Sequence, residues 1–167
     1  GFEGERVDTV FFVSASVSVK DADGRRPEDY SFGGSRFLGE VPGVAEVGRQ
    51  SAERALSRLG SKKAPSAVMT LVVDNRAAGR LMGALGGPLS GASLQQKRSF
   101  LEGKLGQPIA APLLTLVDDP LIPKGFGSRL FDGEGIAAKR MPVIEAGVLK
   151  AYFIDTYYGK KLKMAPT

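Results

Sequence analysis

From Phe11 to Lys20 apolar and polar residues alternate. Phe11, Val13, Ala15, Val17 and Val19 fall on one side, and Phe12, Ser14, Ser16, Ser18 and Lys20 on the other. Period two with β-branched residues predicts an antiparallel strand with one buried face. Asp21-Ala22-Asp23-Gly24 predicts a turn. Tyr30, Phe32 and Phe37 predict a returning strand, weakened by Gly33-Gly34. After Pro42 the period changes. Val44, Val47, Ala52, Ala55 and Leu59 recur near helical spacing, with Glu46, Arg49, Glu53, Arg54 and Arg58 facing outward. Gly60 stands where a C-terminal cap belongs.

Lys62, Lys63 and Pro65 form a connection, and Val68 to Val73 is a compact apolar run that predicts a buried strand. Asp74 is a candidate cap for a helix over Arg76 to Leu85, which Gly86-Gly87-Pro88 breaks. Leu94 to Leu105 predicts a helix ending at Gly106, and Leu113 to Val117 a strand. Asp118 to Gly135 is a loop rich in Asp, Gly and Pro, a length that loops reach when they have a job or cover a surface. Val143-Ile144 and Val148 to Ile154 flank Glu145-Ala146-Gly147, which predicts a tight hairpin. Tyr157 to Met164 opens a final basic turn. The mixed order predicts an α+β fold with mainly antiparallel sheets and two or three helices.

Composition narrows the chemistry. The hydrophobic share is 43% and the charged share 25%, which argues against whole-chain disorder. The net charge of +5 raises an acidic partner or nucleic acid. The basic residues are scattered among acids, and Lys62–Lys63 and Lys160, Lys161, Lys163 lack interleaved aromatics, so nucleic acid is not the expected partner. Cysteine and histidine are both absent. That excludes a thiolate nucleophile and a Ser-His-Asp triad, and removes the commonest metal ligand and general base. No apolar run reaches membrane-spanning length, so no membrane partner is expected. The chain opens on Gly1 and closes on Met164-Ala165-Pro166-Thr167, and it reads as an internal piece of a longer protein.

Few residues offer chemistry in what remains. Asp118, Asp119, Asp132 and Glu134 share one loop and could gather oxygen ligands for a hard cation; turn chemistry explains the same residues without one. Gly83, Gly86, Gly87 and Gly91 follow a helix rather than precede it, the wrong end for a phosphate cradle, and point to close packing or a bend. Ser99 with Lys97 or Lys104 leaves a Ser-Lys pair formally open.

Several words of the sequence occur together in a familiar order. They are Ser99-Phe100-Leu101, Gly103-Lys104-Leu105-Gly106, Leu113-Leu114-Thr115-Leu116-Val117-Asp118-Asp119-Pro120, Phe131-Asp132-Gly133-Glu134-Gly135, and Gly147-Val148-Leu149-Lys150 followed by Asp155-Thr156-Tyr157. From about Val44 onward the chain resembles the TldD/PmbA family. Complete members are much longer. The resemblance implies that about 1–65 is the end of an N-terminal region and about 66–167 the start of a C-terminal domain.

In the TldD branch an HExxxH motif lies on the helix before this region, with two His for zinc and a Glu for the attacking water. Alignment on Leu89-Ser90-Gly91 puts the first His at Met82, the Glu at Gly83 and the second His at Gly87. The chain therefore resembles the TldE/PmbA-type subunit. The resemblance implies no catalytic residue and no metal ligand here, with zinc held only by a TldD-type partner in a heterodimer. It further implies unfolded peptide substrates, cytoplasmic peptide maturation and an older designation as a modulator of DNA gyrase. Asp119, Phe131, Asp132 and Glu134 are the candidate interface or substrate-chamber residues. The alternatives are an autonomous hydrolase with a carboxylate-held metal, or a gyrase-modulating, nucleic-acid-binding module.

Overall fold

The computed structural model describes residues 2–167. They form two compact units. One comprises Gly4–Met69 with Pro123–Phe126; the other comprises residues 2–3, Thr70–Ile122 and Gly127–Thr167.

The first unit is a hairpin crossed by a helix. Strands β1 (Phe11–Ser18) and β2 (Glu28–Ser35) pair antiparallel, with Phe11 opposite Ser35 and Ser18 opposite Glu28. β1 keeps the predicted register: Val13, Ala15 and Val17 lie on the half-buried face, and Ser14, Ser16 and Ser18 face solvent. Gly24, at φ +86°, closes the turn, with its N–H on the Asp21 carbonyl at 3.1 Å.

The two glycines of β2 serve packing. A Cβ on Gly34 would lie 2.3 Å from the Phe12 ring, and one on Gly33 would lie 2.5 Å from Pro42. The returning strand therefore forms across them. Its aromatics Tyr30 and Phe32 point outward, and Asp29 and Ser31 are the buried pair. Helix α1 (Val44–Ser57) explains this inversion, because it brings polar partners to the sheet. Arg58 meets the Asp29 carboxylate at 2.8 Å, and the Ser31 hydroxyl donates to Gln50 at 2.8 Å. α1 buries Val47, Ser51 and Ala55, so small side chains let its backbone approach β1. The Ser51 hydroxyl donates to the Ala15 carbonyl at 2.9 Å.

Pro123–Phe126, the tip of the long loop, belongs to this unit. Arg36 donates to the carbonyls of Gly125 at 2.8 Å and Phe126 at 2.5 Å, and pairs with Asp8. Phe126 stacks on Phe12 with ring centres 5.4 Å apart. Lys124 pairs with Glu40 and lies over Phe37 at 4.9 Å. The hydrogen bond from Lys124, then that from Ser35, holds the Glu40 carboxyl below the usual range.

The second unit contains α2 (Asn75–Gly83), α3 (Gly91–Gln95) and α4 (Thr156–Leu162). Its sheet has the order β3 (Leu116–Asp118), β4 (Met141–Glu145), β5 (Val148–Leu149), all antiparallel. Ala146 and Gly147, at φ +47° and +79°, make the predicted hairpin turn. The core consists of Leu89, Leu94, Leu101, Val143, Ile144, Leu149, Tyr152 and Ile154. The fold class is α+β, with four α-helices among the described residues rather than two or three.

Several predicted elements differ: the hairpin arm expected over Val148 to Ile154 is a strand over Val148–Leu149, and the final basic turn is α4. Val68 to Val73 is neither paired nor buried: Leu71 and Val72 are 78% and 89% exposed. A strand needs neighbours, and residues 2–167 supply none. The helix expected over Leu94 to Leu105 is confined to α3. Ser90 caps it, and Lys97 at φ +57° stops it. Leu94 and Leu101 still reach the core, from a short helix and a turn. The strand expected over Leu113 to Val117 starts only at Leu116, and Leu113 is almost fully exposed.

Candidate functional site

The positions aligned with the zinc motif lie at the end of α2. Asp74 starts this helix by accepting from the Arg76 N–H at 2.8 Å. The helix stops at Gly83, and the chain then closes tighter turns, with Leu85 N–H on Met82 O and Gly86 N–H on Gly83 O, both at 3.0 Å. Met82 and Gly83 are thus in the last turn of the helix, and Gly87 lies beyond it. An HExxxH motif needs both imidazoles carried by one helix. Here the second position has left the helix, and the side chains amount to one thioether and two hydrogens. These residues do not fit a zinc ion.

The glycines of the cluster differ in packing, and a Cβ on Gly86 would lie 3.2 Å from the Gly83 carbonyl oxygen. A Cβ on Gly83 or Gly87 would meet nothing within 4 Å, and neither residue has a positive φ. Gly91 is the most tightly packed of the four: its Cβ would lie 2.8 Å from the Tyr158 Cβ on α4.

The loop residues are held by their own chain. Asp119 accepts from the Leu121 N–H at 3.1 Å and faces Arg140 at 3.4 Å. Phe131 meets Phe2 edge to face, centroids 4.9 Å apart. Asp132 accepts from the N–H groups of Glu134 and Ile136, both at 2.9 Å, which is the turn chemistry of aspartate. Glu134 accepts the N–H of Thr156 at 2.9 Å and its hydroxyl as well. Thr156 is the first residue of α4, and Asp155, its cap, accepts from Tyr158 N–H at 2.7 Å. Glu134 therefore acts as a second, remote cap on α4. The spacing of 22 residues between Glu134 and Thr156 left no local signal for it.

Removing this cap has a predictable cost. Glu134→Ala in the full-length protein should lower stability by ~1 kcal/mol, the usual loss for a helix cap, with Glu134→Gln in between. Urea unfolding checks it; an unchanged midpoint for Glu134→Ala would show that the cap contributes nothing.

The four carboxylates do not converge. Asp118 faces Arg129 at 3.6 Å, and the other three have the partners just named. Among the described residues no three metal-ligating side chains gather. A cleft of about 300 Å³ runs beside Ser90, Asp132, Phe153, Asp155, Tyr158 and Thr167. Its two carboxylates are committed to backbone N–H groups. Ser99 is not joined to Lys97. Ser99 Oγ donates to the Pro88 carbonyl at 2.5 Å, and Lys97 is paired with Glu102. No helix among the described residues is long and apolar enough to cross a membrane.

Comparison with known proteins places this geometry. Residues 66–167 match the PmbA/TldA metallopeptidase C-terminal domain. The chain is 31% identical over 159 residues to a metalloprotease PmbA homolog of Buchnera aphidicola, covering 95% of this chain and 35% of that one. It is 30% identical over 153 residues to metalloprotease PmbA of Escherichia coli O157:H7, covering 92% of this chain and 34% of that one. Among solved structures, a Bacteroides thetaiotaomicron protein called a modulator of DNA gyrase superposes with a TM-score of 0.94 at 41% identity, over 100% of this chain and 38% of that one. TldE of Thermococcus kodakarensis shares the fold, with a TM-score of 0.75 at 22% identity, over 95% of this chain and 36% of that one. The chain thus spans about a third of the length of these relatives.

Proposed function

The chain belongs to the PmbA/TldA metallopeptidase family through its match over residues 66–167, and on that premise we propose that it is part of the zinc-free subunit of a two-subunit metalloprotease. One observation carries the reading. The three positions aligned with the zinc motif are Met82, Gly83 and Gly87, with α2 ending before the last of them. Losing every motif side chain fits a subunit selected for something other than hydrolysis. Its role would be to complete the chamber around a TldD-type partner's zinc site and to orient unfolded peptide in the cytoplasm.

The proposed contact element is the loop of residues 118–135. Leu121, Ile122 and Leu130 are 49%, 53% and 77% exposed and offer apolar area. Asp119, Phe131, Asp132 and Glu134 would serve the interface by fixing the shape of the loop. Apolar contact of this kind tolerates an introduced charge poorly.

Purified full-length subunit alone should not cleave unstructured peptides. Mixed with a TldD-type partner it should support cleavage that a chelator stops, and Leu130→Asp should weaken co-purification of the pair. Chelator-sensitive cleavage by the single full-length subunit, free of contaminating protease, would overturn the proposal.

A further inference from the structure

We propose that residues 67–73 form a β-strand, buried on both faces, in a sheet whose other strands come from the part of the polypeptide outside residues 1–167. The segment reads Ala67-Val68-Met69-Thr70-Leu71-Val72-Val73, six of its seven residues apolar. In extended backbone, Val68, Thr70 and Val72 point to one side, and Met69, Leu71 and Val73 to the other. A strand with one wet face alternates apolar and polar, as β1 does. A strand apolar on both sides belongs inside a sheet covered above and below.

The structure leaves this segment bare. Val68 is fully exposed, and Met69, Leu71 and Val72 are at least 61% exposed. No strand among the described residues pairs with it. Isolated exposed apolar residues are ordinary, but a contiguous run of this kind marks a contact surface.

The nature of the contact identifies the occupant. A second copy pairing edge to edge covers one edge and neither face. An extended peptide does the same. Covering two faces and two edges takes a layered domain. The relatives matched here are only about a third covered by this chain, at 34% and 35%, so their remaining length is ample for those layers. The strand also has a consequence for the motif positions. Asp74, the cap of α2, follows it directly, and α2 buries no residue of its own. Docking the strand would therefore fix where α2 and its Met82 lie.

Hydrogen exchange on the full-length protein tests this without reference to zinc or activity. Amides of 67–73 should exchange about 10³-fold or more slower than an unstructured reference, as core strands do, in the isolated monomer at high dilution. Leu71→Asp and Val72→Asp, on opposite faces, should each lower the thermal midpoint or abolish soluble protein. Exchange at the unstructured rate overturns the proposal. So does protection lost on dilution, which would assign the segment to a second copy. Protection that appears only with a partner subunit or peptide overturns it too, and so does sensitivity to only one of the two substitutions.

Discussion

Gly147→Ala is expected to destabilise the second unit by ~2–5 kcal/mol. The residue sits at φ +79° in the β4–β5 turn, where a Cβ costs about 1–2 kcal/mol on backbone sterics alone. The site is also crowded by groups that cannot swing away. An added Cβ would lie 2.3 Å from the Ala110 carbonyl oxygen and 2.9 Å from that of Ala111. Forcing them apart adds on the order of 1–3 kcal/mol. Those carbonyls are fixed because Gly147 is a junction: its N–H donates to Leu114 O at 2.8 Å, and its carbonyl accepts from Ile109 at 2.8 Å and Ala110 at 3.2 Å. The neighbouring Ala146, at φ +47°, is the control. Ala146→Gly relieves the same backbone strain without a clash and should change stability by no more than about 1 kcal/mol in either direction. Chemical unfolding of the full-length variants distinguishes the two; equal effects would refute the crowding argument.

Leu149→Ala should cost ~2–5 kcal/mol, the range for emptying a closed core site. Leu149 is fully buried and lies in the cluster with Leu89, Val143 and Ile144. Both its backbone groups are tied to the neighbouring segment, accepting from Gly106 at 2.8 Å and donating to Gln107 at 3.0 Å. With the backbone held, the cavity cannot close by collapse. Leu149→Met keeps the volume and should cost less than about 1.5 kcal/mol. The denaturant midpoints of the pair decide it. An alanine variant within about 0.5 kcal/mol of wild type would mean that β5 is not part of the stabilising core.

What could be read in advance was what is written locally. The period-two run of β1, the helical spacing of α1 and the turn at Ala146-Gly147 each carry their signal within a few residues. The assignment of Met82, Gly83 and Gly87 to the motif positions rests likewise on one short segment. Long-range pairing was not legible. Nothing near Glu134 announces Thr156, and nothing near Arg36 announces the carbonyls of Gly125 and Phe126. The inward face of β2 was unreadable because Asp29 and Ser31 find distant partners inside, Arg58 and Gln50 on and after α1. Leu94 to Leu105 failed for a different reason. Two buried leucines seven residues apart suit a helix, but Lys97 takes a left-handed conformation that its side chain does not advertise.

A zinc-free subunit follows from Met82, Gly83 and Gly87 standing where a zinc site would be. The direct measurement is zinc content of the full-length protein, purified alone, stripped with chelator, repleted with zinc and desalted, beside the same protein assembled with a TldD-type partner. Well under one zinc per chain is expected for the protein alone, and one per heterodimer in the assembly. One tightly held zinc per chain in the protein alone would contradict it.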